Sequence, residues 1–459
     1  MISDKIYNDL CKIVEKENIK RDILHKKSFS YDATGIEHFP DYVVFAGTEG
    51  HISRVLEYAD DKGIPVTPRG SGAGFTGGSV PLQGGILLCL SKMNRILGFD
   101  RDSSLIDLEP GVITAEINRY ARKYGYFYPV DPASMEFSTI GGNVSENAGG
   151  PRAVKYGTTK EYILGLNLVL PGGHILKTGS KTIKNVAGYD LTSLITGSEG
   201  TLGIISKIYL RLIPIPEERR ICLILFSDKK QAARAVTSIR SAGILPSCLE
   251  FLDRKAFLYA KKPASFKELK NVDACIVLEW DGNKSSIGYQ EERIFSLLDK
   301  KDILGIIFPG ENITEDDIWA LRRSVSPAIV KLGKRKINED IVVPVSRIPD
   351  AIDRIYQISE KHGIDIVNFG HFGDGNIHTN LILREDSDEE RQRADKCLED
   401  IFSYVISIEG SISGEHGIGI TKRDFLKYQL DCRVIDIMKQ IKRIFDPRGI
   451  MNPGKIFEI

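Results

Sequence analysis

One stretch constrains the fold more than any other: Pro68-Arg69-Gly70-Ser71-Gly72-Ala73-Gly74-Phe75-Thr76-Gly77-Gly78. Residues 64–67 before it read as a buried strand, and five glycines in the eleven residues let the backbone curl into a tight concave loop. A flexible surface loop is the alternative, but this one follows directly on that strand. Successive glycine amides form a nest of N–H donors suited to a pyrophosphate. Gly72, Gly74 and Gly77 satisfy G-x-G-x-x-G, yet a dinucleotide fingerprint must open a helix and be followed about 20 residues on by an acid. Ser79, Val80 and Pro81 come next with no helical period, which rules out a Rossmann unit.

Around the loop the chain alternates strands and helices. Residues 43–46, a helix over 51–62 stopped by Gly63, and residues 64–67 make a compact βαβ unit and hence a parallel pair. Strands at 86–90 and 105–108, a helix over 114–123, and a hairpin about Pro171-Gly172-Gly173 follow. After Pro214 and Pro216 the order strand, helix, strand occurs twice, at 221–252 and 274–308, which predicts a ferredoxin-like sheet with helices on one face. A helix over 349–361, a strand over 364–369, a charged helix over 389–407 and one further helix complete the chain.

Composition narrows the class. Lys plus Arg is 62 and Asp plus Glu is 62, so no basic excess points to nucleic acid or an anionic membrane. The seven cysteines are scattered, with no C-x-x-C for a zinc ribbon, a thioredoxin motif or an iron–sulfur cluster. Residues 1–24 read as an amphipathic helix carrying Asp4, Asp9, Glu15 and Glu17, unlike a secretory signal or transit peptide, and no apolar run reaches transmembrane length. A cytoplasmic protein is expected.

Two more glycine clusters lie within 140 residues of the first. One is Thr139-Ile140-Gly141-Gly142-Asn143-Val144-Ser145-Glu146-Asn147-Ala148-Gly149-Gly150; the other is Gly188-Tyr189-Asp190-Leu191 with Gly197-Ser198-Glu199-Gly200-Thr201-Leu202-Gly203-Ile204-Ile205. Three such loops suggest one extended cofactor laid along them. Together they resemble the FAD-binding domain of the vanillyl-alcohol oxidase (PCMH-type) flavoproteins over about residues 38–216: PRGSGAGFTGG matches the pyrophosphate loop, and IGGNVSENAGGPRAVKYG and GSEGTLGIISKIYLRLIP match the segments lining the flavin. The resemblance implies FAD contacts from Pro68, Arg69, Gly70, Ser71, Gly72, Ala73, Gly74, Thr76 and Gly77. It implies others from Pro132, Thr139, Gly142, Asn143, Asn147, Gly149, Gly150, Tyr156 and Gly157, and from Glu199, Gly200, Gly203 and Ile205. Ala73 aligns with the histidine that links FAD covalently in several members, and no histidine lies between His51 and His174, so the flavin is expected to be non-covalent.

Asn368-Phe369-Gly370-His371-Phe372-Gly373-Asp374-Gly375-Asn376-Ile377-His378-Thr379-Asn380 is the second strong signal. Gly373-Asp374-Gly375-Asn376 is a turn between strand-like runs, which brings His371 back towards His378, and alternation puts His378 and Asn380 on one face. Two histidines flanking a surface turn is the plain alternative. Ser413-Gly414-Glu415-His416-Gly417-Ile418-Gly419 tips the balance, since three of the chain's eight histidines lie in these two segments. His371, His378 and Glu415 would make a two-histidine, one-carboxylate set suited to zinc, and also to manganese or iron. Glu415 could instead merely orient the adjacent base.

Trp319-Ala320-Leu321-Arg322-Arg323-Ser324-Val325-Ser326-Pro327 reads as a helix with Arg322 or Arg323 aimed inward; a surface ion pair with Asp316 or Asp317 is the plain reading. These later motifs narrow the resemblance to the branch with the glycolate oxidase FAD subunit, D-lactate dehydrogenase and D-2-hydroxyglutarate dehydrogenase, now over nearly the whole chain. That branch implies a divalent metal on His371, His378 and Glu415, His416 as the base and Arg322 as the carboxylate clamp. Relatives that take dicarboxylates carry a lysine where Asn338 stands, ahead of Asp340 and Pro344, which favours glycolate or D-lactate over 2-hydroxyglutarate.

The implied fold is α+β: a PCMH-type FAD-binding domain of two α/β subdomains, a ferredoxin-like α+β substrate (cap) domain and a C-terminal helical segment. The expected boundaries are 1–37, 38–216, 217–410 and 411–459. The implied activity is FAD-dependent oxidation of a 2-hydroxy acid to the 2-oxo acid by hydride transfer, with Arg322 and Asn380 orienting the acid. Alternatives are the flavin subunit of a multi-subunit glycolate oxidase or a D-2-hydroxyglutarate dehydrogenase. An electron-transfer flavoprotein or an iron–sulfur subunit would serve as acceptor, as would oxygen or a quinone. A phenol or sugar oxidase does not need the histidine and E-H-G segments, a non-catalytic flavin subunit would lack the metal histidines, and a metal-dependent hydrolase leaves the glycine loops unexplained.

Overall fold

The computed structural model describes residues 2–261, 266, 269, 271–299 and 301–458. The chain divides into two units. Unit 1 is Met1–Gly149, Thr158–Ile215 and Glu415–Ile459; unit 2 is Gly150–Gly157 and Pro216–Gly414.

In unit 1, β1 (Ile19–Lys20), β2 (Tyr42–Phe45), β3 (Val66–Arg69) and β4 (Ile86–Cys89) form a sheet ordered β1-β2-β4-β3, parallel except at β1. The crossover from β2 to β3 is the helix Glu49–Lys62. It starts where the Thr48 side chain accepts the His51 amide and stops at Gly63, whose φ of 62° suits glycine. Ile52, Val55, Leu56 and Ala59 recur at helical spacing and join Val44, Val66, Ile86 and Leu88 in one core. The expected βαβ unit is present with β2 and β3 parallel, but β4 lies between them so they do not pair, and no helix follows β3 at the glycine loop.

A second sheet is built from β5 (Ile96–Asp100), β6 (Leu105–Leu108), β8 (Ile163–Val169), β9 (Ile175–Gly179) and β10 (Ile204–Arg211), with β7 (Tyr126–Phe127) pairing β11 (Ile213–Pro214) apart from it. Its order is β5-β6-β10-β8-β9, all antiparallel, and the Pro171-Gly172-Gly173 turn joins β8 to β9. Two expectations change here. The N-terminal helix ends at Val14, because Glu15 adopts a φ of 59°, and β1 and a short helix Ile23–Ser28 follow. The second glycine cluster is largely helix, Ile140–Glu146, capped by Thr139. Gly141 is needed for packing there, since a Cβ would lie 2.6 Å from that of Pro110.

Unit 2 is a seven-stranded sheet of β12 (Glu218–Phe226), β13 (Cys248–Asp253), β14 (Ala274–Gly282), β15 (Ile303–Ile307), β16 (Arg335–Val342), β17 (Asp365–Gly370) and β18 (Asn376–Leu383). The order is β15-β12-β14-β13-β17-β18-β16 and every pair is antiparallel. Helices cover both faces, not one as the sequence suggests. Leu252 packs in a cluster with Ile318, Leu321 and Val325 of the helix Glu315–Ile329. The next residue, Asp253, accepts the hydroxyl of Tyr356 from the helix Ile348–His362, so the two helices lie on opposite faces by strand alternation. No helix among the described residues is long and apolar enough to cross a membrane.

Candidate functional site

β17 ends at Gly370 and β18 begins at Asn376, and the turn between them is closed by amides of Asp374 and Asn376 donating to the His371 carbonyl at 3.2 and 3.1 Å. Phe369 stands opposite His378 in the register. The turn therefore folds His371 onto His378: their Nε2 atoms are 3.4 Å apart, the rings cross at 85°, and both residues are buried.

β13 supplies the residue that orients them. Glu250 is fully buried, and its Oε1 accepts the Nδ1–H of His371 at 2.5 Å. That bond fixes the tautomer of His371 and leaves its Nε2 lone pair facing His378. The other oxygen, Oε2, accepts the Nε–H of Arg322. Burial pushes the Glu250 carboxyl up, but Arg322 and His371 outweigh it and hold it at about 2. Sequence reading overlooked Glu250. The available signal was an acid facing the same side of the sheet as Cys248 and Leu252, both in the apolar core.

Arg322 makes no surface pair with Asp316 or Asp317: it is buried, and Asp317 caps its own helix through Thr314. Its guanidinium lies 4.8 Å over the Phe369 ring, and its two amino groups donate to no described residue, so the outer edge of the fork is open to an anion. Asn380 donates to the carbonyls of Val367 and His378 at 3.3 and 3.2 Å, while its buried Oδ1 has no partner among the described residues. An orphaned oxygen suits a hydroxyl or a cation rather than a carboxylate, which differs from the expected role.

Asn338 on β16 is directly opposite Asn380. Two residues before it, on the same face, is Lys336, a second residue the sequence reading passed over. Its Nζ donates to Ser326 Oγ at 3.0 Å, and burial pulls the ammonium down to about 8. The absence of a lysine at 338 therefore does not leave this face without a second cation.

Gly150, Tyr156 and Gly157, expected among the cofactor contacts, belong to the segment Gly150–Gly157 of unit 2. Arg152 grips buried Glu279 through two bonds of 2.8 Å, Lys155 pairs with Asp281, and the Tyr156 hydroxyl donates to Asp281 at 2.7 Å. Tyr156 is thus held by a carboxylate of its own unit, with Gly150 and Gly157 at the ends of the segment.

In unit 1 the amides of Gly70, Ser71, Gly72, Ala73 and Gly74 donate to no described residue, while carbonyls of the same loop are tied down by the amides of Ala33 at Gly74 and Ile420 at Thr76. A half-buried arc of unused N–H donors fits a bound pyrophosphate. Arg69 braces the loop, donating to the Tyr31 carbonyl at 2.8 Å and to Ser79 at 3.3 Å. Gly72 cannot be replaced there: with φ at 74°, a Cβ would fall 2.1 Å from Arg69 Nη2. Asn143 and Asn147 are engaged by Thr114 and by Thr158 and Lys160, and both Glu199 oxygens accept amides, of Ile418 and Gly419, at 2.7 Å. Pro132, Thr139, Gly142, Gly149, Gly200, Gly203 and Ile205 share the same unit.

Glu415 and His416 also lie in unit 1, and Glu415 follows directly on Gly414, whose amide is held by Asp340 of β16 at 2.9 Å. The His416 ring faces that of Phe75 at 5.0 Å, and its carbonyl accepts the Thr76 hydroxyl at 3.2 Å.

Residues 40–179 match the model for the FAD binding domain, and residues 215–456 match that for the C-terminal domain of FAD linked oxidases. The family models meet unit 2 near residue 215, but the second runs on past Gly414 into the last segment of unit 1. The chain is 38% identical to glycolate oxidase subunit GlcD of Bacillus subtilis (strain 168), over 100% of this chain and 97% of that one. It is 31% identical to D-lactate dehydrogenase of Anaerostipes hadrus, over 97% and 94%. A structure of p-cresol methylhydroxylase with substrate bound superposes with a TM-score of 0.83 over 99% of this chain and 97% of that one, at 17% identity, a likeness of fold.

Proposed function

Since the chain belongs to the FAD-linked oxidase family as an oxidoreductase acting on 2-hydroxy acids, we propose that it oxidises D-lactate or glycolate to the 2-oxo acid, with His371, His378 and Glu415 holding a divalent cation. The observation that carries this reading is the facing pair of imidazoles. Two Nε2 atoms 3.4 Å apart, one fixed as a lone-pair donor by Glu250, have the spacing of neighbouring ligands on one ion. The donor set is one that zinc, manganese or iron accepts. Glu415, next to a residue anchored on β16, is the carboxylate that completes it.

FAD, when bound, would supply the hydride acceptor, and a cation on this ligand set would supply Lewis acidity towards the substrate hydroxyl. The chain's own residues do the rest. Arg322 presents the open edge of its fork to the carboxylate, backed by Glu250 so that the buried guanidinium is neutralised. The orphaned Asn380 oxygen would accept the substrate hydroxyl. His416 takes the hydroxyl proton on an imidazole nitrogen, completing the loss of one proton and one hydride. The loop of residues 70–74 offers its amides to the FAD pyrophosphate, and with alanine at position 73 the cofactor is held without a covalent bond.

Lys336 supports a second reading, a 2-hydroxy dicarboxylate, because it brings a second buried cation to the face that carries Asn380. The subunit name borne by the Bacillus relative supports the same catalytic role within a larger assembly. Anaerobic mixing with D-lactate, L-lactate, glycolate and D-2-hydroxyglutarate decides among these. Bleaching of the flavin by D-lactate or glycolate is expected; bleaching by the dicarboxylate alone moves the assignment to the second reading, and bleaching by none overturns both.

A further inference from the structure

We propose that Glu146 works as a neutral carboxylic acid beside the Glu199 carboxylate at Gly417, and that this pair positions His416; the inference rests on reading His416 as the base. Glu146 ends the helix Ile140–Glu146, and Glu199 sits in a turn at a φ of 52°. Both carboxyls close on one point. A Cβ at Gly417 would lie 2.6 Å from Glu146 Oε2 and 2.9 Å from Glu199 Oε1, so residue 417, with φ at 87°, admits only glycine.

The backbone around that point is held on both sides. The His416 carbonyl accepts the Thr76 hydroxyl, the amides of Ile418 and Gly419 donate to Glu199, and the amide of Ile420 donates to the Thr76 carbonyl. Glu199, with two amide donors, is the member equipped to carry charge. Glu146 Oε2 is buried and receives no donor from any described residue. An ionised Glu146 would leave two buried carboxylates facing each other; a protonated one supplies the missing donor itself.

The surroundings agree. Burial, then Glu199 and then Asp32 push Glu146 well above the ordinary carboxyl range. Burial also raises Glu199, against which the two amides and the cations of Lys455 and Lys422 work. The charged groups around the pair are thus Asp32 from the N-terminal segment and Lys422 and Lys455 from the C-terminal one.

The sign of the pH effect follows. A folded pKa above the unfolded value means the folded chain keeps a proton the unfolded chain has lost, so stability falls as pH rises through that interval. The melting temperature of the FAD-loaded protein, read from pH 5 to 9 for wild type and Glu146→Gln, should separate increasingly with pH, the variant holding its stability where wild type declines. Parallel curves overturn the neutral Glu146. For positioning, Glu146→Ala should lower the limiting rate of anaerobic flavin reduction by about tenfold with substrate affinity held, and Glu146→Gln should recover most of that rate. Loss of affinity in step with rate, or no recovery in the Gln variant, overturns the positioning role. Diverging melting curves in a protein that no 2-hydroxy acid reduces would retire the reading of His416 and leave the neutral Glu146 standing.

Discussion

Glu250 holds His371 by its Nδ1–H at 2.5 Å and Arg322 by its Nε–H, so one buried carboxylate orients both a candidate metal ligand and a candidate substrate clamp. Removing it strands a buried guanidinium. Glu250→Ala should cost about 3 kcal/mol of stability, the scale of a broken buried ion pair, measured by urea unfolding of the FAD-loaded protein. Glu250→Gln, which keeps the shape, should hold the fold better yet weaken metal retention by about 10–100-fold, as loss of a ligand's hydrogen-bond partner does. Undiminished metal content in the Gln variant would count against His371 as a ligand.

Flavin attachment is tested by acid precipitation. With Ala73 in the pyrophosphate loop and no histidine between His51 and His174, all of the yellow colour should pass into the supernatant. A washed pellet that stays fluorescent would mean a covalent link through another residue.

Much of this arrangement is legible in the sequence where the determinants are local. The helix Glu49–Lys62 carries its own start at Thr48, its stop at Gly63 and its buried stripe, and the turn at residues 373–376 is written in Gly-Asp-Gly-Asn. What is not legible depends on partners remote in the chain. Arg152, Lys155 and Tyr156 lie in a stretch that resembles a cofactor loop, and nothing local shows that their carboxylate partners are Glu279 and Asp281, more than a hundred positions away. β16, Arg-Lys-Ile-Asn-Glu-Asp-Ile-Val, shows little apolar alternation because one of its faces carries Lys336, Asn338 and Asp340 towards the site instead of the core. The glycines at 141 and 142 signal a loop, but they sit in a helix, and at Gly141 the contact with Pro110 is what demands the small residue.

Lys336 gives a pH-dependent test. Its folded pKa of about 8 lies below the ordinary lysine value, so the unfolded chain binds the extra proton and stability should rise as pH climbs from 8 towards 10.5. Lys336→Met should be the more stable protein below pH 8, with the advantage shrinking above it, as read by thermal melting. If Lys336 also receives a second carboxylate, the same variant should raise KM for D-2-hydroxyglutarate while that for D-lactate stays put.

The adjacent pair Glu415 and His416 separates ligand from base. A chelator should abolish turnover while leaving the FAD absorption unchanged, since the pyrophosphate loop and the two histidines belong to different units, and untreated protein should contain about one divalent ion per chain. Glu415→Ala should lose metal, with activity partly restored by excess ion. His416→Ala should keep metal and substrate yet slow flavin reduction by about 10²–10⁴, the usual contribution of a positioned general base. Anaerobic single-turnover reduction is the appropriate measurement, because it isolates the chemical step from whichever acceptor reoxidises the flavin. A His416→Ala protein that loses its metal, or a Glu415→Ala protein that keeps it in full, would show the two roles to be exchanged. Unchanged reduction in both would move the chemistry away from this segment.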